Sequence, residues 1–372
     1  MPNMATLSGN SDASTRPSAR RRPTMRDVAT LAGVSLKTVS RVVNREPGVS
    51  EALAGRVQQA VEQLDYRPDF TASNLRRSDR RTATIGLMVE DVANEYSSAV
   101  HSGVEQAARE RGIAVLTASI ADDPDRERNM LRAFISRRVD GLVVIPSSTG
   151  QSAIWNEREV GVPLVFVDRA PRGIAADKVL TNNREGARFG VEHLIARGYR
   201  SIGFLGGVAA LDTAQERYDG YVDALSSAGI AIRPESVVRD LRSPEEARAA
   251  AAAILVREDR LDAVFSAQNL ITMGAFRALR YAGLQHSVGL LGYDDFALAD
   301  LLDPAVSVIA QEPRAIGFEA AELLFERIRE DQAGGSAQPD NRQPVRRVIP
   351  SRLVVRDSTP PVAEPQASPR PE

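Results

Sequence analysis

The chain has 372 residues, of which 43% are hydrophobic and 26% are charged, so we expect a soluble protein of two or three domains. It has no cysteine, which excludes disulfides, thiolate metal sites and cysteine nucleophiles, and its three histidines lack ligand spacing, so we expect no metal or other cofactor. No apolar run reaches the roughly 20 residues that span a membrane, and the first residues are unlike a secretory signal, so we expect a cytoplasmic location without membrane contact.

Charge is distributed unevenly along the chain. Residues 1–81 carry 14 Lys and Arg against 8 Asp and Glu, whereas the remainder carries 33 against 41. A basic segment ahead of an acidic body favours contact with phosphates by the first segment alone. A chance excess of arginine would give the same balance, so charge by itself does not decide between the two readings.

The first ordered elements are two short helices. Residues 1–22 are rich in Ser, Pro and Arg without periodicity, and we interpret them as a disordered basic arm. Thr24 followed by Asp27 makes a capping-box start for the first helix. Gly33 ends that helix, and Ser35 caps a second one. Two short helices joined by about three residues that include glycine predict a helix-turn-helix.

The second helix has two unlike faces when its residues are placed at intervals of about 100°. The apolar face consists of Val39, Val42 and Val43. The other face presents Leu36, Lys37, Ser40, Arg41 and Asn44. The donors and acceptors of this second face match base edges and phosphates in a DNA major groove. A solvated helix face has the same pattern, but the short helix before it and the basic charge favour DNA.

A third helix and a short linker follow. Ser50 caps the helix, whose apolar stripe would cover the first two. Segment 68–76 then begins with Pro68, which suits a first helical turn, and contains Leu75 as its one leucine. About nine residues are too few for a helix that is stable alone in water.

The segment 24–77 resembles the DNA-binding head of the lactose-repressor (LacI/GalR) family of bacterial transcription regulators. The pattern DVA..AGVS..TVSRVVN occurs without gaps at 27–44. The resemblance implies that Leu36, Lys37 and Arg41 read bases. The residues that we predict to contact DNA are Thr24, Ser35, Leu36, Lys37, Thr38, Ser40, Arg41, Asn44, Leu75 and Arg76.

The resemblance also gives segment 68–76 a function. It corresponds to the family's hinge helix, which we expect to fold on DNA, with Leu75 wedged between base pairs of a minor groove. Arg76 and Arg77 would then lie near phosphates. The alternative is an ordinary solvated leucine in a linker.

Residues 82–356 alternate between short apolar runs and helical patterns. The candidate strands are 84–89, 113–119, 141–146, 164–168, 178–183, 201–207, 263–268, 288–295 and 306–311. The helical patterns lie at 97–111, 125–138, 184–198, 213–228, 245–257, 270–282 and 313–330. This alternation predicts parallel sheets with helices on both faces. The region is long enough for two doubly wound α/β lobes, with a ligand cleft at the carboxyl ends of the strands.

The same region resembles the family's effector domain, a fold related to periplasmic sugar-binding proteins. The likeness is carried by segments such as RRVDGLVVIP, GVPLVFVDR and LLGYDDFALADLLDPAVSVIAQEP. It implies two lobes, between which the chain crosses three times. The implied effector contacts are Tyr96, Asp168, Arg169, Arg217, Gln268, Asn269 and Asp294.

These contacts suit a sugar, because adjacent hydroxyls pair with Asp and Arg while the ring face stacks on an aromatic side chain. Each has a plainer alternative. Asp168 and Asp294 could cap helices, Arg217 could form a surface ion pair, and Tyr96 could lie in the core.

The chain departs from the family's pattern at two positions. Asn269 stands where the family usually has an acidic residue, and an amide donates as well as accepts, so an effector with a carbonyl or carboxylate stays open. Glu95 stands in the middle of a stretch that is usually Asn-Pro-Phe, and it adds a negative charge at the cleft mouth. A sugar or sugar derivative remains our first expectation.

Three hypotheses about function can be compared. The sequence lacks the dinucleotide, Walker and G-x-S-x-G motifs, which argues against an enzyme. A transport-type solute-binding protein explains the body but leaves the head without a role. We therefore expect a repressor that binds a near-palindromic operator as a homodimer and responds to a small-molecule effector.

Five regions follow from these patterns. The predicted boundaries are 1–22 for the arm, 23–67 for the helix-turn-helix domain, 68–81 for the hinge helix and linker, 82–356 for the effector and dimerisation domain, and 357–372 for a disordered Pro-rich tail. The tail shows no heptads, so we expect no tetramerising coiled coil.

Overall fold

The chain divides into two compact units, Met1–Arg80 and Arg81–Glu372, which we call the head and the body. The computed structural model describes residues 23–43, 46–66, 81–147, 161–169, 175–256, 261–332 and 343–362. Within these ranges, no helix combines the length and the apolar character needed to cross a membrane. Each unit has its own buried apolar core.

The described part of the head contains three helices: α1 (Met25–Ala32), α2 (Leu36–Val43) and α3 (Glu51–Gln63). The predicted capping box is present, because the Thr24 N–H donates to the Asp27 carboxylate at 2.7 Å and the Asp27 N–H donates to the Thr24 hydroxyl at 3.4 Å. Gly33 ends α1 in the left-handed conformation, with a φ of 60°. The expected Ser50 cap is wrong in one respect: Ser50 holds the N-cap position of α3, but its side chain makes no capping bond.

One valine from each helix forms the centre of the head. Val28, Val39 and Val57 are fully buried. Arg56 fastens α3 to the end of α1, where its guanidinium donates to the Ala32 carbonyl at 2.6 Å. α2 packs through Val39, so its opposite face points away from the core of the head, as the sequence predicts for a helix-turn-helix.

The described ranges of the body contain twelve strands and seven helices. The strands are β1 (Thr84–Val89), β2 (Ala114–Ser119), β3 (Leu142–Val144), β4 (Leu164–Val167), β5 (Asp177–Thr181), β6 (Ile202–Leu205), β7 (Val237–Val238), β8 (Ala263–Ser266), β9 (Gly289–Tyr293), β10 (Ser307–Ala310), β11 (Arg346–Ile349) and β12 (Arg352–Val354). The helices are α4 (Glu95–Arg109), α5 (Pro124–Ser136), α6 (Asn183–Ala196), α7 (Asp212–Ser227), α8 (Pro244–Leu255), α9 (Asn269–Ala282) and α10 (Pro313–Gln332).

The first lobe, which we call the N lobe, is built on a parallel sheet with the strand order β11-β5-β4-β3-β1-β2. Successive residues of β1 point to opposite faces of the sheet. Leu87 packs in the apolar core on the side of α4 and α10, and Met88 packs in the apolar core on the side of α5. Burial on both faces explains why this strand is an unbroken apolar run rather than an alternating one.

The second lobe, the C lobe, has the strand order β12-β10-β9-β8-β6-β7. Helices α8 and α9 cover one face of this sheet, and α6 and α7 cover the other. The predicted pair of doubly wound sheets is therefore confirmed, with one exception. The edge strand β12 runs antiparallel to β10.

The chain passes between the lobes three times, as the family resemblance implies. The crossings lie between β5 and α6, between β10 and α10, and between β11 and β12. Hydrogen bonds join the first crossing to the third, because the Ser351 N–H and hydroxyl donate to the Asn182 side-chain oxygen at 2.7 and 2.9 Å. Each lobe is thus made of two separate parts of the chain.

Glycines allow α4 and α10 to approach closely in the N lobe. A β-carbon at Gly103 would overlap the Arg314 carbonyl oxygen, and one at Gly317 would overlap the Val100 carbonyl oxygen. The two backbones therefore touch directly at this crossing. Only glycine permits this separation.

The tail prediction is wrong at its first residues. Residues 357–362 are part of the C lobe, where Ser358 and Thr359 are buried. The Ser307 N–H donates to the Ser358 hydroxyl at 2.8 Å, and the Val362 N–H donates to the Arg197 carbonyl at 2.8 Å. Proline content suggested disorder, but these hydrogen bonds hold the segment against the lobe. Residues 363–372 lie outside the described ranges.

Candidate functional site

A cleft of about 440 Å³ opens between the two lobes of the body. This volume lies within the range of roughly 300–1,000 Å³ that is typical of small-molecule sites. Its walls follow the carboxyl ends of strands in both sheets, the position expected for ligand binding in parallel α/β folds. The structure brings all seven candidate effector residues to this cleft: Tyr96, Asp168, Arg169, Arg217, Gln268, Asn269 and Asp294.

Arg169 is enclosed by acidic groups in the N-lobe wall. It donates to the Glu90 carboxylate and, at 3.2 Å, to the Pro146 carbonyl. The carboxylates of Asp168 and Asp122 lie 3.1 and 3.7 Å from guanidinium nitrogens. Burial works to lower the pKa of Arg169, but the neighbouring carboxylates outweigh it and the pKa is raised. Arg169 therefore remains charged and holds the carboxylates of this wall in place.

Arg217 has the corresponding place in the C-lobe wall, on α7. It donates to the Asn183 side-chain oxygen and to the Ala267 carbonyl, both at 2.8 Å. It lies 3.5 Å from the Asp294 carboxylate, and its guanidinium stacks 3.8 Å from the centre of the Tyr293 ring. Burial opposes its charge, yet Asp294 keeps the pKa of Arg217 raised. The alternative of a surface ion pair is excluded, because Arg217 is 6% exposed.

Asp294 follows β9 and is oriented by a residue that we did not identify from the sequence. The Gln311 amide donates to the Asp294 carboxylate, and Gln311 is itself buried and lines the cleft. Turns follow Asp294, so it does not cap a helix there. Gln311 comes directly after β10, the neighbour of β9. The rule that ligands bind at carboxyl ends of strands could have identified it.

Tyr96 contributes the aromatic ring among the candidate residues. Its hydroxyl is buried and makes no hydrogen bond of ordinary geometry. Burial, together with the carboxylates of Asp168 and Asp294, raises the pKa of this hydroxyl. It therefore stays protonated and can donate to a ligand. The partly exposed ring is not simply a core residue.

Gln268 and Asn269 lie at the start of α9 and have different surroundings. The Asn269 side-chain oxygen accepts from the Leu270 N–H at 2.8 Å, and its amide nitrogen donates across the cleft to Asn94 at 3.4 Å. Gln268 makes no side-chain capping bond to the helix. The amide of Asn269 is thus directed at protein groups, whereas Gln268 is the better placed of the two for a ligand.

Acidic side chains outnumber basic ones along the cleft. The carboxylates are those of Glu90, Asp91, Asp122, Asp168 and Asp294, and the guanidinium groups are those of Arg169, Arg217 and Arg242. Since Arg169 and Arg217 already face carboxylates, an anionic ligand would meet net repulsion. The arrangement favours an uncharged ligand with many hydroxyls.

The polar face of α2 is directed to solvent in the head. Leu36 is 40% exposed, Lys37 is exposed, and Ser40 and Arg41 are partly exposed. Ser35 and Thr38 are bonded to each other, because the Thr38 N–H donates to the Ser35 hydroxyl at 3.1 Å. Thr24 is used by the capping box. The predicted contacts Asn44, Leu75 and Arg76 lie outside the described residues.

Comparison with known proteins identifies both units. Residues 24–69 match the family described as bacterial regulatory proteins, lacI family, and residues 82–353 match the periplasmic binding proteins and sugar binding domain of LacI family. The chain belongs to the LacI family. It is therefore a DNA-binding transcriptional regulator with a sugar-binding type of body, and not an enzyme.

Two similar proteins of the LacI family are named as repressors. The ribose operon repressor of Haemophilus influenzae is 34% identical over 309 residues, which cover 82% of this chain and 92% of that protein. The repressor PurR of Aliivibrio salmonicida is 31% identical over 310 residues, with the same two coverages.

Solved LacI-family structures share the fold. The transcriptional regulator CelR in complex with cellobiose has a TM-score of 0.67 and 30% identity, over 91% of this chain and 100% of that one. The Lac repressor dimer bound to operator and an anti-inducer has a TM-score of 0.79 and 25% identity, with the same coverages.

Proposed function

We propose that this LacI-family protein represses transcription by binding a near-palindromic operator as a homodimer, and that an uncharged sugar or sugar derivative in the cleft changes its affinity for that operator. One observation carries the proposal. A helix-turn-helix with an exposed polar face and a cleft lined by polar groups from two lobes occur in the same chain. A repressor needs both.

The chemistry of the cleft supports a polyol effector. Asp168 and Asp294 stand on opposite lobes and can each accept from sugar hydroxyls, while Arg217 can donate to them. Tyr96 offers a ring face and a buried hydroxyl. Among the relatives, one is named a ribose operon repressor and one was solved with cellobiose. Ribose and cellobiose are both sugars.

An effector with a carbonyl or carboxylate, which Asn269 left open, has less support. That amide already bonds protein groups on both sides, and the cleft carries an excess of carboxylates. A phosphate or carboxylate that paired with Arg169 or Arg217 would have to displace the ion pairs of these two side chains. We therefore rank neutral sugars above sugar acids.

In the head, Leu36, Lys37 and Arg41 are the proposed base-reading residues. Arg41 can bond guanine through two nitrogens, Lys37 can bond a base edge or a phosphate, and Leu36 can contact only a thymine methyl or a sugar. Because Ser35 and Thr38 bond each other, we assign them to shaping the helix start as well as to phosphate contact.

The loop after β9, which exposes two leucines, is the surface on which we base the homodimer. Leu298 and Leu301 are 64% and 74% exposed. Contiguous exposed apolar side chains mark association surfaces in soluble proteins. The second copy of the chain is the proposed partner, since one structural relative is a dimer on its operator. Two heads then meet two half-sites.

Binding selection with random-sequence DNA tests the repressor directly. Full-length protein is expected to enrich a near-palindromic sequence, with an affinity that falls steeply as salt rises. A thermal-shift screen of sugars, sugar acids, polyols and nucleosides then identifies the effector, since a ligand at 100 times its Kd stabilises by about 2.7 kcal/mol. Hits are added to the gel shift, where the expected coupling is about 1–3 kcal/mol.

The same measurements separate a repressor from a solute-binding protein of the transport type. That rival predicts ligand stabilisation without sequence-preferring DNA binding. If selection enriches no sequence, the repressor proposal fails even when a sugar raises the Tm.

We predict that Leu75→Ala weakens operator binding without unfolding either unit. If Leu75 wedges between base pairs, its loss removes the contact that offsets the energy of unstacking, which is a few kcal/mol per step. The expected result is at least a tenfold weaker affinity for the selected operator and an unchanged affinity for unrelated DNA. Equal operator affinity of variant and parent would show that the leucine is an ordinary linker residue.

A further inference from the structure

The N-terminal end of α4 makes two hydrogen bonds from the N lobe to the C lobe. The Ala297 backbone N–H donates to the Glu95 carboxylate at 2.7 Å. The Asn269 amide donates to the Asn94 side-chain oxygen at 3.4 Å. Asn94 and Glu95 are consecutive, so a single turn of the N lobe bonds two different segments of the C lobe at the rim of the cleft.

The bond made by Glu95 is the stronger of the two. It is shorter, and an ionised carboxylate accepts a hydrogen bond roughly twice as strongly as a neutral group does. Glu95 is free to make it because it occupies the first position of α4, where the Asn94 side chain already caps the helix by accepting from the Tyr96 N–H at 2.9 Å. The helix start therefore does not depend on the Glu95 carboxylate.

The segment that Glu95 holds has an uncommon backbone. Asp294 and Leu298 both have positive φ values, 69° and 68°. A leucine in this region is strained, and such a conformation persists only when the surroundings fix it. The segment is fixed on its other side by Arg356, whose guanidinium bonds both carboxylate oxygens of Asp295 at 2.9 and 2.8 Å. Glu95 supplies the restraint that comes from the opposite lobe.

We propose that Glu95 is a latch between the lobes, which holds the cleft rim closed before any effector binds and fixes the loop 294–298 that carries Asp294. The latch is a property of the body alone. It does not depend on which effector the cleft accepts. Its consequence is that an effector enters a cleft whose closed arrangement is already favoured, so less of its binding energy is used to close the lobes.

Two substitutions remove the Glu95 carboxylate while leaving the start of α4 intact. Glu95→Pro removes the carboxylate, and proline is well suited to the first position of a helix. The Asn94 backbone, with a φ of −77° and a ψ of 129°, is compatible with a following proline. Glu95→Ala removes the carboxylate without a proline. Glu105→Gln is the matched control, because Glu105 is an exposed glutamate further along the same helix.

The test is made on the full chain without ligand, by hydrogen exchange and by distance measurement. Exchange of the Ala297 amide is expected to be roughly 10- to 150-fold faster in Glu95→Pro, the range that follows from losing one hydrogen bond to a charged group. Since the chain has no cysteine, spin labels can be placed with Arg137→Cys in the N lobe and Glu235→Cys in the C lobe, both exposed. The distance between the labels is expected to lengthen or broaden in Glu95→Pro and to stay unchanged in Glu105→Gln.

Two outcomes overturn the latch. One is exchange at Ala297 that matches the parent protein. The other is faster exchange with an unchanged distance between the labels, which would show that the bond forms but does not hold the lobes. If Glu95→Pro increases exchange throughout α4, the helix itself is disturbed, and Glu95→Ala then decides between the same outcomes.

Discussion

At the scale of single residues, position in the fold decides what a charged side chain does. Arg169 and Arg217 are both buried arginines in the cleft wall, and each faces carboxylates from other elements. Arginine suits this place because its guanidinium bonds several partners in fixed directions and stays charged. Glu127 is the opposite case, a carboxylate buried with few partners.

We predict that the Glu127→Gln variant loses less stability than the parent protein as the pH rises. Burial raises the pKa of Glu127, although the Ser147 N–H, which donates to it at 2.8 Å, works in the other direction. When folding raises the pKa of a carboxyl group, that group stabilises the folded protein most at a pH below the pKa it has in the unfolded chain. That contribution is lost as the pH rises through the folded pKa. Glutamine can accept the same bond without the buried charge.

The measurement for Glu127→Gln is the Tm between pH 4 and pH 8. The fall in Tm across this range is expected to be smaller in the variant than in the parent by a few degrees. A change of 1 kcal/mol in the free energy of unfolding corresponds to about 2–4 °C in Tm for a domain of this kind. The exposed Glu105→Gln serves as control and should follow the parent. Parallel curves for Glu127→Gln and the parent would contradict the prediction.

At the scale of elements, the sequence predicted the central strands and the edge strand β2, but it missed the edge strands β7, β11 and β12. β1, β4 and β9 are apolar runs because both of their faces are buried, and this pattern is visible in the chain itself. β11 and β12 are short, half-exposed and arginine-containing, and they are strands only because distant segments pair with them. Pairing of that kind leaves no local signal.

The candidate site likewise has residues that the sequence could predict and contacts that it could not. The family resemblance implied Asp168 and Asp294, and each of them also directly follows an apolar strand. Glu90 and Gln311 also follow strands, so their position in the cleft was predictable, but the pairing of Glu90 with Arg169 and the bond from Gln311 to Asp294 depend on three-dimensional neighbours. Glu95 was noticed from the sequence as a negative charge, but its bond to Ala297 spans 202 residues and could not have been inferred.

The close crossing of α4 and α10 gives a prediction about packing. Gly103→Ala is expected to destabilise the body by about 1–3 kcal/mol, because the new methyl group meets the Arg314 carbonyl oxygen and the backbone must move. The gain of about 1 kcal/mol in helix propensity over glycine is not enough to offset this. Thermal or chemical unfolding of the body measures the change.

Gly55 provides the matched control for this substitution. It also lies inside a helix, α3, but a β-carbon there would meet no atom within 4 Å. Gly55→Ala is therefore expected to stabilise the head by about 0.5–1 kcal/mol. Stabilisation by both substitutions would mean that α4 and α10 can separate easily.

At the scale of the whole molecule, the proposed function depends on association of two chains. The prediction is that Leu301→Glu gives a monomer, because a charge in a buried apolar contact is unfavourable. Sedimentation velocity on the full chain measures the state. Val256→Glu is the control, since Val256 is 82% exposed in the same lobe but lies at the end of α8. Dimers with both variants would place the interface elsewhere.

The three crossings between the lobes have a consequence for how the body is made. The N lobe needs β11 and the C lobe needs β12, and these two strands are separated by only a few residues near the end of the described chain. A chain that stops at residue 344 lacks an edge strand in both sheets, as well as the segment 357–362 that packs on the C lobe. Neither lobe can be completed while the ribosome still holds the segment that contains β11 and β12. In addition, no contiguous fragment of the chain contains one lobe alone. A late nonsense mutation would therefore damage both halves of the body at once.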